Sequence, residues 1–287
     1  MYDKRKRIAN YKRIVIKVGT STLIYETGMV NLLRIEKLAM VISDLLNQGK
    51  EVVLVTSGAI GVGVGRLKME ERPHTIREKQ AVAAVGQCEL MHLYSKFFSE
   101  YGHLVGQILL TRDVVEDEHK RRNVINTFET LLEKGIVPIV NENDSVATDE
   151  IEFGENRVFG DNDTLSAMVA DIIKADLLII LSDIDGFYDS DPRTNDDSKL
   201  FSHIEEITPE IEEFAGGVGS KRGTGGMITK LSAAKIAASA GIDMVLCNGS
   251  DPEVIFDVLD CKIVGTLFIS NKGDDINDRT AKYRREG

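Results

Sequence analysis

Arg13-Ile14-Val15-Ile16-Lys17-Val18-Gly19-Thr20-Ser21 is a β-branched apolar run that carries one lysine and ends at a glycine. β-Branched side chains suit a pleated strand and glycine suits the turn that closes it, so residues 13–18 read as a buried strand. Helical spacing follows, with Ile35, Leu38, Ala39, Ile42, Leu45 and Leu46 on one face and Gly49 where a left-handed cap belongs. The pattern then repeats. Glu51 to Thr56 predicts a strand; Thr75 with Glu78 predicts a capping box for a helix ending near Gly102; Leu104 to Leu110 predicts the next strand.

Farther along, helices are expected over Asn123 to Lys134, Thr164 to Ala175 and Met227 to Ala240, with a further helix start at Asp251-Pro252. Strands are expected over Ile136 to Asn141, Leu177 to Ser182 and Met244 to Asn248. Alternating strands and helices predict an α/β fold, an open and mainly parallel sheet with helices on both faces. Ligands of such sheets bind beyond the carboxyl ends of the strands, so the turns there should carry the function.

No Pro-rich or Ser-rich linker interrupts the 287 residues. One continuous sheet in two lobes is expected, an N-lobe over about 13–175 and a C-lobe over about 176–270, with a basic arm at 1–12 and a tail at 271–287. The 46 acidic against 35 basic residues give a net charge of −11, which repels nucleic acid and anionic membranes. The basic residues Lys4, Arg5, Lys6, Arg7, Lys12 and Arg13 are concentrated at the start, and read as a solvated arm rather than an RNA-binding patch. No apolar run approaches the roughly 20 residues that span a bilayer. Cys88, Cys247 and Cys261 are odd in number and widely spaced, as reduced thiols of a cytoplasmic protein would be.

Several strand ends carry chemistry. A lysine is costly in an apolar strand unless it reaches a partner or a site, which singles out Lys17. The turn Thr56-Ser57-Gly58-Ala59-Ile60-Gly61 and the stretch from Gly216 to Lys230 are glycine-rich and precede helices, an arrangement that suits an anion. Gly61-Val62-Gly63-Val64-Gly65-Arg66 lacks the third glycine of a dinucleotide fingerprint, and no Walker A triplet occurs. Asn141-Glu142-Asn143-Asp144 and Gly160-Asp161-Asn162-Asp163 gather more amides and carboxylates than helix capping requires; they could receive an ammonium group, orient a lysine or bind Mg²⁺.

Taken in order, Lys17-Val18-Gly19-Thr20-Ser21, Thr56-Ser57-Gly58-Ala59-Ile60, the two acidic turns, Ser182-Asp183, Asp191-Pro192-Arg193 and Gly223-Thr224-Gly225-Gly226-Met227-Ile228-Thr229-Lys230 resemble the glutamate 5-kinases of the amino acid kinase superfamily. The resemblance covers about residues 13–270. It implies an enzyme that transfers the γ-phosphoryl group of ATP, with Mg²⁺, to the side-chain carboxylate of L-glutamate, the first step of proline biosynthesis. By similarity Ser57, Gly58, Ala59, Asn141, Asp144, Asp161 and Asn162 hold glutamate. Lys17, Gly19, Ser182, Asp183 and the turn Thr224, Gly225, Gly226, Met227, Ile228, Thr229 and Lys230 receive ATP, while Lys17, Lys230 and Asp163 act at the transferring phosphate. No side chain is assigned to a metal.

The same resemblance implies feedback by proline, a homo-oligomer (dimer or tetramer) and coupling to a glutamate 5-phosphate reductase. Three departures mark this chain: extra residues Phe153 to Phe159 between the acidic turns, Ser182 where threonine is expected, and an expected lack of the small PUA domain appended in many relatives. Other readings of the residues are another carboxylate or phosphate kinase of the superfamily, an amino-acid-binding module without turnover, and an oxidoreductase built on Gly61 to Gly65.

Overall fold

The computed structural model describes residues 4–25, 27–111, 114, 117–146, 162–216 and 225–270. An eight-stranded sheet forms its centre: β1 (Arg13–Val18), β2 (Glu51–Val55), β3 (Val105–Leu110), β4 (Val137–Glu142), β5 (Leu177–Ser182), β6 (His203–Ile204), β7 (Asp243–Asn248) and β8 (Thr266–Phe268). Their spatial order is β3-β4-β2-β1-β5-β7-β8-β6, parallel at every pairing except β7 with β8. The chain moves outward from β1 on one side and returns to β1 as β5 on the other. This reversal opens a crevice at the carboxyl ends of the central strands.

Side-chain parity divides the sheet into two covered faces. Ile14, Ile16 and Val18 meet α2 (Leu32–Asn47) and α4 (Ile76–Glu100), whereas Val15, Val53 and Val55 meet α5 (Glu118–Glu133), α6 (Asn162–Ile172) and α8 (Gly225–Ser239). Lys17 has the parity of Val15, which aims it toward the face of α6 and α8. Both helices lead into the amino ends of following strands, so their own amino ends lie at the carboxyl edge of the sheet. The expected capping box is present: Thr75 Oγ1 accepts from the Glu78 amide at 3.2 Å, and the Thr75 amide donates to the Glu78 carboxylate at 3.2 Å.

Several expectations are corrected. The helix expected from Asn123 begins at Glu118, because Asp117 caps it by accepting from the Lys120 amide. That expected over 164–175 runs from Asn162 to Ile172. Asp251 turns back onto the Glu253 amide, so the helix expected there, α9 (Val254–Leu259), starts later. Two short strands, β6 and β8, had no sequence signal.

The glycines of residues 61–65 form part of a helix, α3 (Ala59–Leu67), rather than a cofactor loop. They serve helix contact: a Cβ on Gly63 would lie 2.1 Å from the Val82 carbonyl, and one on Gly86 of α4 only 1.8 Å from that of Ala59. This removes the basis for an oxidoreductase reading. Gly86→Ala is expected to destabilise the fold by about 1 to 3 kcal/mol through overpacking. A thermal melt checks it, and an unchanged Tm would show that α3 and α4 can part freely.

The basic arm is docked on the domain rather than free in solvent, with Lys6 and Lys12 exposed. Residues Lys4–Asn10 form a 3-10 helix with Ile8 buried and Arg5 only 4% exposed. Arg5 donates to the carbonyls of Ser202 and Gly265, and Arg7 to Asp243 at 2.8 Å. Asp243, itself buried, also accepts from the Tyr11 hydroxyl and the Ser270 amide. Burial and the neighbouring Asp243 push the Tyr11 phenol far above its ordinary range. Lys4 pairs with Glu205, and Arg13 with Glu51 and Glu129, so these cations neutralise the protein's own acids. Among the described residues, no helix is long and apolar enough to cross a membrane.

Candidate active site

Lys17, Asp163 and Lys230 meet although they come from β1, α6 and α8. The Nζ of Lys17 lies 2.5 Å from one oxygen of Asp163, and that of Lys230 lies 3.1 Å from the other. Thr229 donates its hydroxyl to the second oxygen at 3.0 Å. Asp163 is 1% exposed, and a lone carboxylate there would protonate readily. Burial does raise its pKa, but the charges of Lys17 and then Lys230 outweigh that effect and hold it at about 2. The carboxylate therefore stays ionised and fixes two ammonium groups side by side. A Cβ on Gly19 would lie 3.5 Å from the Lys17 Nζ, so glycine keeps that side of the ammonium open.

Ser182, at the end of β5, shares the parity of Leu178 and Ile180 and so lies on the same face of the sheet as α8. With Asp183, Gly226, Met227 and Lys230 it lines a cavity of about 220 Å³. Tyr188, Pro192 and Phe214 supply apolar walls that no strand-end reading singled out as lining. Ile228 is exposed and does not line this cavity. Gly225 opens α8, whereas Thr224 lies outside the described residues.

A second group gathers at the ends of β2 and β4. Ser57 is buried and donates to the Val18 carbonyl at 3.1 Å. Gly58 caps α3 with φ of 88°, a left-handed conformation that glycine adopts without strain, and no side chain caps the helix. The first amides of α3, from Ala59 onward, are thus left for an anion. Asn141, 1% exposed, donates to Gln87 at 2.9 Å and accepts from Asn162 at 3.2 Å. Asp144 is half-buried, and burial raises its pKa to about 6. No cation pairs with it among the described residues. Asp161, and all of the loop beyond Val146 up to it, lie outside the described residues.

The two groups are complementary. The β1, α6 and α8 side presents paired cations beside a cavity; the β2 and β4 side presents helix amides, buried amide side chains and a carboxylate awaiting a cation. Such a crevice suits a phosphorylated ligand facing a small zwitterion. Gln87 was missed in the sequence because it sits in an ordinary helix, with no motif around it.

Residues 12–248 match the model of the amino acid kinase family. The chain is 67% identical to the glutamate 5-kinase of Clostridium perfringens over 94% of this chain and 100% of that protein. It is 60% identical to the glutamate 5-kinase of Listeria innocua over 96% of this chain and 99% of its relative. Among solved structures, a UMP kinase from Bacillus anthracis shares the fold with a TM-score of 0.62 at 18% identity, covering 91% of this chain and 97% of that one. An isopentenyl phosphate kinase from T. acidophilum does so with a TM-score of 0.60 at 17% identity, covering 90% of this chain and 100% of that one.

Proposed function

The chain belongs to the amino acid kinase family, in its glutamate 5-kinase group, and from that premise we propose how its crevice works. It transfers the γ-phosphoryl group of ATP to the side-chain carboxylate of L-glutamate, giving L-glutamyl 5-phosphate and ADP, the first step of proline biosynthesis. The Lys17–Asp163–Lys230 arrangement is the observation that carries the mechanism.

Both reactants are anions, so catalysis consists mainly of alignment and charge stabilisation. A carboxylate oxygen of glutamate attacks the γ-phosphorus in line, the bond to the β-phosphate oxygen breaks, and ADP leaves with the electron pair. No covalent enzyme intermediate is required. Lys17 and Lys230 stabilise the oxygens of the group in flight, and Asp163 keeps the two lysines together without collapsing onto the phosphate. The nucleotide occupies the cavity at Ser182, Asp183, Gly226, Met227 and Lys230, within a C-lobe of about 176–270. Glutamate lies in an N-lobe of about 13–175, its α-ammonium against Asp144 and its neighbours Ser57, Gly58, Ala59, Asn141 and Asn162, with Asp161 at the same turn.

Mg²⁺ fits as a companion of the nucleotide. The Asp163 oxygens face lysines, so exposed Asp183, a carboxylate lining the cavity, rather than Asp163, would help to hold Mg²⁺ beside the nucleotide. When bound there it neutralises phosphate charge. We further propose a cytoplasmic homo-oligomer, a dimer or tetramer. An acyl phosphate hydrolyses in water, which makes coupling to a glutamate 5-phosphate reductase advantageous.

ADP release from ATP and Mg²⁺ over a panel of amino acids tests the activity. Release with L-glutamate alone supports it, and release that is indifferent to the amino acid, or absent, refutes it. Regulation is tested in the same assay. Proline is expected to inhibit at low glutamate and to be displaced at saturating glutamate, as overlapping ligands require; complete insensitivity removes this part of the proposal.

A further inference from the structure

The buried amides beside the acidic turn have a direction. Gln87 is only 9% exposed, and its Oε1 accepts from Asn141 Nδ2 at 2.9 Å. This leaves the Asn141 Oδ1 facing Asn162, whose Nδ2 donates to it at 3.2 Å. Each side-chain amide has one donor end and one acceptor end, so the orientations of the three are linked, and Gln87 Nε2 at the near end is likewise buried without a hydrogen-bond partner among the described residues. At the far end Asn162 Oδ1 is buried and has no hydrogen-bond partner among the described residues. An orphan acceptor is expensive in a buried site unless a ligand supplies the donor.

We propose that Gln87 is a positioning residue for the amino-acid substrate, holding Asn141 so that Asn162 turns its oxygen, rather than its NH₂, toward the substrate's ammonium group. The proposal rests on the reading of these turns as the glutamate site. Had Asn141 the opposite orientation, its NH₂ would face that of Asn162, which would then rotate and present donors to a ligand group that is itself only a donor. Parity places Asn141 on the face covered by α4, opposite to Lys17, so Gln87 and Asn141 act from the side of the sheet away from the paired lysines. The close seating of α4 at Gly86, the preceding residue, brings Gln87 within reach.

The acceptor at residue 87 matters, not the amide as such. Gln87→Leu removes it and frees Asn141 to rotate. Gln87→Glu keeps it. Steady-state kinetics on both variants, with thermal melts beside them, form the test. Gln87→Leu is expected to raise the KM for glutamate by about 10-fold or more, with kcat and the KM for ATP changed by less than about threefold. Gln87→Glu should stay near the parent KM. If Gln87→Leu does not fold, Gln87→Met gives the same loss of acceptor with an unbranched chain. An unchanged glutamate KM in the Leu or Met variant overturns the proposal, as does an equal rise in the Glu variant, which would mark a role in packing alone. Parent protein that releases no ADP with glutamate overturns the reading of the site itself, an outcome distinct from either.

Discussion

Lys230→Ala and Lys17→Ala are each expected to lower kcat by about 10² to 10³, the cost of losing one preorganised donor at a developing anion. The KM for glutamate should move little, since the contacts proposed for its α-carbon groups come mainly from the β2 and β4 side of the crevice. The protein should remain folded. Asp163 keeps Thr229 and the remaining lysine in either variant, so no buried carboxylate is left uncompensated. Arginine should not restore the rate, because a broad planar fork cannot occupy the place of a compact ammonium. Acid sensitivity gives a related check. The folded-state pKa of Asp163, about 2, lies below its ordinary 3.8. Its contribution to stability is therefore present above about 3.8 and fades as pH falls toward 2. Steady-state rates with a melt decide the matter: near-normal kcat in either alanine variant would remove that lysine from the chemistry, and a collapsed Tm would assign it to the core instead.

Asp144→Asn should raise the KM for glutamate by roughly 30-fold or more while leaving that for ATP nearly unchanged, since an unpaired buried charge typically costs about 2 to 5 kcal/mol. The carboxylate is ionised only above about 6, because burial raises its pKa. Accordingly kcat/KM for glutamate in the parent should fall as pH drops through about 6, and the variant should lack that inflection. Stability moves oppositely. A carboxyl whose folded-state pKa exceeds its unfolded value binds more protons when folded, so between about 4 and 6 rising pH weakens the fold. Replacing it with a neutral amide should leave Tm at neutral pH equal or higher. A fall in Tm together with an unchanged glutamate KM would make Asp144 a structural acid.

These sites differ in how visible they are in the amino-acid sequence. Lys17 stands out because one charge in a β-branched run needs a reason, and strand parity then tells which face it serves. Asp144 and Asn162 stand out because they cluster where parallel strands end. By contrast α3 has a glycine at every second position from Gly61 to Gly65, against its helix propensity; only the opposite surface of α4, around Val82 and Gly86, makes those glycines sensible. Gln87 has the same difficulty, since its meaning comes from Asn141, 54 residues away. Arg5 and Arg7 looked solvated for a similar reason. Basic residues near a terminus are usually free, and their acceptors at Ser202, Asp243 and Gly265 are too distant in the chain to be anticipated.

The docking of that 3-10 helix also sets an order of events during synthesis. Residues 4–10 leave the ribosome well before the carbonyl of Gly265 that accepts from Arg5, which follows 260 residues later. Until then Arg5 lacks one of its two carbonyl acceptors, so a segment made early settles late. Closing a loop of this length carries an entropic cost that grows only logarithmically, about (3/2)RT ln n, yet it cannot be met before the final strands exist. The half of the sheet around β2, β3 and β4 can assemble as it emerges; the fastening of β6, β7 and β8 to the 3-10 helix is complete only when translation has passed residue 270. In the interval the exposed edge beyond β5 offers unpaired backbone groups to other chains. Ring closure by Arg5 and Arg7 thus acts as a latch that a nascent chain still short of residue 270 cannot fully shut.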